Sequence, residues 1–353
     1  RGLKSVFRLR QPGAWYRVRY GDSGELAATR FTNLLGQSDD GAIQEVDEID
    51  NDAVHKALEK LFPMSQFEQL NEEIAEQVLG TLPTTDFVSV LDVGQGNANA
   101  LWSNHGGAHL YFDVGGGVLQ HAKTYPPSMK FCVSRDPVII LSHWDWDHWS
   151  SAAVRGHPYL RRLTWIVPDQ GSLPGVHASF AEQLIMDGAT VYRWPDEWKE
   201  KQFGQLTIQR CTGRGRNDSG LALLIDAPDG TDRRVLLTGD ASYESIPAIA
   251  NNRSDPFHAV VAPHHGGKPH VTNPLIALPT RSKLRRLIYS YGSPNYYGHP
   301  HYRTQHQHRQ AKWYAKQTRH TVPSQGPRPA HVGIRWSDEE LTTGCQYCQP
   351  LQW

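Results

Sequence analysis

The sequence predicts an α/β fold of packed β-sheets with helical covers, preceded by a separate N-terminal region. Three observations lead there. From residue 87 onward, short β-rich runs are separated by Gly, Asn and Asp turns, the texture of packed sheets. Helical patterning interrupts these runs at residues 178–186 and 302–316. Several of the apolar runs end in His or Asp, so polar groups collect where strands stop.

Strands are expected over residues 87–93, 108–114, 138–142, 164–167, 221–226, 234–238, 259–262 and 286–290. The chain can bury such a core, having 353 residues, 39% of them hydrophobic, and 11 Trp. Residues 1–85 read as an accessory region with no recognisable chemistry of its own, able to serve as a surface for a protein partner, and residues 86–353 as the main domain with a basic C-terminal part. Residues 7–20 of the accessory region partly alternate, with Trp15, Arg17 and Arg19 set against Tyr16, Val18 and Tyr20. Residues 52–79 carry Ala57, Leu58, Leu61 and Phe62 at helical spacing, and Pro63 divides them into two helices. The turn cluster Gly80-Thr-Leu-Pro-Thr-Thr85 joins the two parts.

Charge separates the two ends. Lys and Arg balance Asp and Glu at 36 each, yet residues 39–86 carry 13 acids against only Lys56 and Lys60. Residues 281–335 hold 11 Lys and Arg and no acid. A solvated basic face and a surface for an anionic partner are equally good readings of that span. No apolar run approaches the roughly 18 residues that span a bilayer, so no membrane is expected. Four Cys in so long a chain do not make a disulfide framework, and a cytoplasmic location is expected. Cys345 and Cys348 have zinc-knuckle spacing but lack a second half-site, and read as free thiols.

The strongest chemical signal is His143, Asp145, Asp147 and His148, four potential metal ligands just past the apolar run Val138-Ile-Ile-Leu141. Imidazole nitrogen and carboxylate oxygen hold first-row divalent metals. A merely solvated loop would not carry Trp144, Trp146 and Trp149 among these residues. Asp240 ends the run Val235-Leu-Leu-Thr-Gly-Asp240, and His264 and His265 follow Val260-Val-Ala-Pro263. Taken singly, Asp240 reads equally as a turn residue and His264 as a core histidine.

Together these segments resemble the metallo-β-lactamase superfamily. The match runs in order through Leu91-Asp-Val-Gly-Gln-Gly-Asn97, Tyr111-Phe-Asp-Val-Gly115, Ser142-His-Trp-Asp-Trp-Asp-His148, Thr238-Gly-Asp240 and Pro263-His-His-Gly266. Within the superfamily the chain is most similar to the hydrolase domain of ComEC-type DNA-uptake proteins, which share a late Tyr-Gly-His-Pro loop, here Tyr297-Gly-His-Pro300. The likeness covers about residues 87–336. It implies an αββα sandwich and two divalent metal ions, Zn²⁺ or Mn²⁺, that activate water. By that resemblance His143, Asp145 and Asp240 hold one ion and Asp147, His148, Asp240 and His264 the other, with His265 as the alternate for His264. Asp113 would orient a ligand from below. Asp147 and His299 are the expected catalytic residues, and His265, Lys268, His301 and Asn217 the expected substrate contacts. A Gly-His-Pro turn around His299 can also serve only to fix the chain.

Three departures matter. Asp145 stands where the superfamily more commonly has His, which hardens the site toward Mn²⁺ or Mg²⁺. The superfamily's imidazole between the central motif and Asp240 has no equivalent, only Asn217-Asp-Ser219, so one ion is expected to be weakly held. Asn97 replaces an Asp common in the ComEC-type opening motif. The leading expectation is phosphodiester hydrolysis on DNA, RNA or a nucleotide, with the Trp cluster stacking on bases and Arg309, Lys312 and Lys316 on one helical face tracking phosphates. Hydrolysis of a lactone, thioester or β-lactam, or a degenerate hydrolase retained as an interaction module, are the alternatives.

Overall fold

The computed structural model describes residues 16–24, 26–31, 38–48, 62–104, 106–153, 157–252, 254–269, 271, 274–313, 318–320 and 330–337. Cys345, Cys348, Lys316 and most of the helix expected before Pro63 lie outside these residues.

Two large mixed sheets form a sandwich. One has eight strands in the order Val332–Arg335, Phe87–Val90, Ala98–Trp102, Ala108–Val114, Val138–Ile140, Thr164–Pro168, Thr190–Trp194 and Glu68–Gln69. The other has seven, in the order Glu200–Phe203, Leu206–Arg210, Leu221–Asp226, Arg234–Leu237, Ala259–Val261, Arg286–Tyr289 and Thr318–His320.

Strand residues alternate between two apolar layers, as a two-residue period requires. Val138 and Ile140 face the space between the sheets, where they meet Leu223, Ile225, Val235, Leu237, Ala259 and Val261 from the second sheet. Ile139 and Leu141 face the other way, toward Trp165 and the helix Gly175–Met186, which contributes Phe180, Ala181 and Leu184. Leu224, Leu236 and Val260 likewise turn outward against Ile246, Ile249 and Trp313. Three apolar layers alternating with two sheets make the αββα sandwich. Both faces of the central strands are buried, which explains why they read as unbroken apolar runs and not as alternating ones.

Residues 62–80 belong to this body, although the sequence reading grouped them with the N-terminal region. Phe62, Met64 and Phe67 join one apolar layer and Leu70, Ala75 and Leu79 another, while Glu68–Gln69 pairs with Thr190–Trp194 at the sheet edge. The described residues before them form a three-stranded antiparallel sheet of Tyr16–Gly21, Ser38–Glu48 and Leu26–Phe31.

The helix expected over residues 302–316 ends at Gln310. Lys312 adopts a left-handed φ of 72°, Lys312 N donates to Arg309 O and Trp313 N to His308 O. This is a Schellman stop with a buried residue after it: Trp313 is 1% exposed. Arg309 and Lys312 therefore do not share a helical face. Among the described residues no helix is long and apolar enough to cross a membrane.

Candidate metal centre

The polar residues gather where parallel strands end. Val138–Ile140 pairs in parallel with Ala108–Val114, and Ala259–Val261 with both Arg234–Leu237 and Arg286–Tyr289. Their carboxyl ends deliver His143, Asp113, Asp240, His265 and Ser290 to one place, as open α/β sheets commonly do. Gly115 lets the loop at Asp147 close on this edge. A Cβ there would lie 1.7 Å from Asp147 O, and Asn97 N donates to that same carbonyl at 3.0 Å.

Asp113 anchors the arrangement. Its φ is 64°, and its fully buried carboxylate accepts from Ser142 N at 2.7 Å, Ser142 Oγ at 2.8 Å, Asn97 Nδ2 at 3.0 Å and His148 Nδ1 at 2.7 Å. That last bond orients the His148 ring so that Nε2 points to the centre; burial works against its charge, but Asp240 and Asp113 hold the His148 pKa well above the ordinary value, so Nε2 would serve as a ligand on giving up its proton. Asn97 is thereby explained: it is a donor to Asp113, where an Asp would set a second carboxylate against the first.

His148 Nε2 lies 3.0 Å from Asp240 Oδ1 and 4.0 Å from Asp147 Oδ1. His265 Nε2 is 3.1 Å from Asp147 Oδ2 and 3.4 Å from Asp240 Oδ1, and its Nδ1 is held by Ser290 O at 2.9 Å. His143 Nε2 stands 3.8 Å from Asp240 Oδ2 and 3.5 Å from Asp145 Oδ2. Burial works against the charged Asp240 carboxyl, but His148, His264 and His265 outweigh it and hold its pKa well below the ordinary range. For Asp147 burial is likewise overcome, by His265 and His148, and its pKa is lowered.

His143 Nε2, His148 Nε2, His265 Nε2 and Asp240 Oδ1 are buried, and their polar neighbours are one another and the Asp145 and Asp147 carboxylates, out of good hydrogen-bond geometry. Buried imidazole nitrogens converging with carboxylates in this way fit a divalent cation, because buried polar atoms are costly unless something engages them well. Ligand atoms of His143, His148 and Asp240 lie within 4.8 Å of one another, as do those of Asp147, His148 and His265.

The structure places His265, not His264, against Asp147. His264 Nδ1 is 3.9 Å from Asp240 Oδ2 and 3.2 Å from Asn217 Nδ2, so Asn217 meets His264 directly. Both histidines adopt left-handed φ values, 49° and 55°, which turn their rings apart to 89°. Sequence alone could not choose between neighbours in so unusual a turn. His299 joins the same cluster, 5.8 Å ring to ring from His265 and 5.6 Å from His264, with Gln95 Nε2 at 3.4 Å from its Nδ1. Burial, together with the neighbouring His265 and His264, pushes its pKa down to about 3. His301 has a structural post: as N-cap of the helix Tyr302–Gln310 it accepts from Arg303 N at 3.3 Å. Lys268 lines a cavity of about 220 Å³ that also touches Asp240 and His264.

Trp144 and Trp149 are fully buried, Trp149 stacked on Phe180 at 4.1 Å and Trp144 on Phe67 at 6.3 Å. These two are core residues and cannot stack on bases, contrary to the sequence expectation for them, while Trp146, the third of the cluster, is half-buried beside Trp149 at 6.4 Å. Among the described residues the exposed aromatics are Tyr296, Tyr297 and Tyr302, at 81%, 52% and 66%. Arg216 is a residue that no sequence pattern marked. Its Nη1 binds Asp145 Oδ1 at 2.6 Å and approaches His177 Nε2 at 3.0 Å. Burial opposes the charged Asp145, but His143 and Arg216 hold its pKa below the usual carboxylate range.

No protein-family model and no curated protein matches the sequence. Among solved structures the chain is similar to an isothiocyanate hydrolase from Delia radicum gut bacteria, at 12% identity and a TM-score of 0.39, over 71% of this chain and 100% of that one. It is also similar to a possible metal-dependent hydrolase from Veillonella parvula, at 13% and 0.36 over 72% and 100%. A third is MEM-A1, a subclass B3 metallo-β-lactamase from a soil metagenome library, at 15% and 0.30 over 52% of this chain and 80% of that one.

Proposed function

We propose that this chain is a metal-dependent hydrolase of phosphodiesters, acting on nucleic acid or a nucleotide. The observation that carries the reading is the shoulder beside the centre. Tyr297 stacks on His299 at 5.5 Å and Tyr296 lies beside His121 at 5.7 Å, and the helix Tyr302–Gln310 turns Thr304 and His308 inward while exposing Tyr302, Arg303 and Arg309. The sequence from residue 281 to 335 supplies no carboxylate to oppose those cations. Exposed aromatic faces beside cations suit stacked bases and a phosphate backbone.

Asp147, His148, Asp240 and His265 would hold a divalent ion, which when bound supplies Lewis-acid activation of water and of the phosphoryl oxygen. Asp113 holds His148 by Nδ1 and so points Nε2 to the centre. His299 is neutral near pH 7, given its pKa of about 3. Gln95 donating to Nδ1 leaves its remaining proton on Nε2, as a hydrogen-bond donor to a leaving oxygen. Lys268, on the cavity that touches Asp240 and His264, offers positive charge.

The cavity favours a second reading. Pro263, Pro269, Val271, Pro274 and Ile276 give it apolar walls next to Asp240, and such walls suit the body of a lactone, thioester or β-lactam. One panel separates the two. Chelated protein reloaded with Mn²⁺ is offered single-stranded DNA, bis-p-nitrophenyl phosphate and a lactone. Metal-dependent cleavage of the first two, weakening with salt for DNA alone, is expected; turnover of the lactone alone would overturn the phosphodiesterase reading.

A further inference from the structure

The two candidate ligand groups, His143, His148 and Asp240 on one flank and Asp147, His148 and His265 on the other, share His148. Asp240 also borders the second group: its buried Oδ1 lies 3.0 Å from His148 Nε2 and 3.4 Å from His265 Nε2, and His265 Nε2 lies 3.1 Å from Asp147 Oδ2. On the other flank His143 Nε2 has the second oxygen of Asp240 at 3.8 Å and Asp145 Oδ2 at 3.5 Å. Asp145, which the resemblance would enlist there, belongs to neither group of mutually close ligand atoms. One oxygen of its carboxylate, Oδ1, is engaged by Arg216 at 2.6 Å. The guanidinium is itself fixed by His177 Nε2 at 3.0 Å and stands on the short helix Gly215–Asp218.

A guanidinium is always charged and does not release its proton. Placed on the carboxylate of an incomplete ligand set, it opposes a dication in two ways. It competes for the oxygen, and it repels the incoming charge, more strongly where water is partly excluded. Asn217 and His264, the other polar groups of this flank, pair with each other at 3.2 Å.

We propose that the centre binds one divalent ion tightly, at Asp147, His148, Asp240 and His265, and that Arg216 takes the place of a second ion by occupying Asp145. Arg216 is thus a positive charge built into the chain, on the flank where the superfamily pattern implies a metal. The proposal rests on the metal-centre reading above.

Titration of chelated protein with Mn²⁺ alone, read by calorimetry and electron paramagnetic resonance, tests it without reference to turnover. The parent should bind one Mn²⁺ per chain and give the six-line spectrum of an isolated ion. Arg216→Gln should gain a second Mn²⁺ and show the broadened spectrum of a coupled pair, whereas Arg216→Lys, which keeps the charge, should stay at one. Asp145→Asn should keep the single ion, with affinity within threefold of the parent. It serves as the independent arm if circular dichroism shows Arg216→Gln unfolded. Two ions of similar affinity in the parent, no second ion in a folded Arg216→Gln, or loss of the ion in Asp145→Asn would each overturn the role given to Arg216 while leaving a metal centre in place. Absence of any bound Mn²⁺ in the parent overturns both this proposal and the metal-centre reading.

Discussion

Replacing Asp113 with Asn should cripple metal binding without touching a ligand. The buried carboxylate accepts four hydrogen bonds, three of them on Oδ2, from His148 Nδ1, Ser142 Oγ and Asn97 Nδ2. An Asn keeps one accepting oxygen. If that oxygen stays with Ser142 N, the new amide donor faces Nδ1 of His148 and the amide of Asn97. The imidazole must then hold a proton on Nε2, the atom meant for the metal, or turn away. Losing one hydrogen bond to a charged group costs about 1.5–3 kcal/mol, and disturbing a partner of this kind lowers metal affinity about 10–100-fold. Chelator competition with Mn²⁺ reads the affinity, and urea unfolding with chelator present reads the stability. A metal affinity within threefold of the parent would refute the anchoring role of Asp113.

The remaining predictions are more direct. Asp147→Ala and His148→Ala should each abolish hydrolysis with circular dichroism unchanged; full turnover in either would displace the site. His265→Ala should lose the ion while His264→Ala retains it, measured as bound metal, because only His265 contacts Asp147. The double variant Arg303→Glu and Arg309→Glu should slow cleavage of single-stranded DNA at least tenfold at low salt and leave bis-p-nitrophenyl phosphate hydrolysis unaltered. Acid should destabilise the fold through buried neutral histidines. Burial lowers His109 and His331 from 6.5 to about 4 and His308 to about 3, so below pH 6.5 the unfolded chain binds more protons. Stability is fully present above that pH and falls by up to about 1.4 kcal/mol per pH unit per imidazole as the pH drops through the folded values. A urea midpoint unchanged between pH 7 and pH 5 would contradict this.

The sequence made legible whatever lies in a contiguous pattern. Apolar runs such as Val138-Ile-Ile-Leu141 located seven of the eight expected strands within two residues, the run from Phe87 ended three residues early at Val90, and the buried strand Ala98–Trp102 was missed; His and Asp just past these runs pointed to the candidate site. Less legible were strands without an apolar run. Glu200–Phe203 and Thr190–Trp194 carry charged and polar residues because they lie toward sheet edges. Residues 62–80 were misplaced because their core contacts are scattered single side chains. The helix end at Gln310 depended on a left-handed Lys312, a conformation that lysine seldom adopts. Within the site, motif order indicated His143, Asp145, Asp147, His148 and Asp240. Which of His264 and His265 faces Asp147 follows from two positive φ values, and the pairing of Arg216 with Asp145 spans 71 positions; neither leaves a local signature. Trp144 and Trp149 misled because aromatic residues beside polar ones serve a core as readily as a binding face.

The central claim is that Asp147, His148, Asp240 and His265 form a divalent metal site. Anomalous diffraction at the manganese edge, from crystals of chelated protein reloaded with Mn²⁺, tests it most directly. The account predicts a peak bounded by Asp147, His148 Nε2, Asp240 and His265 Nε2. A crystal with Mn²⁺ in its solvent and no peak among these four residues would contradict it.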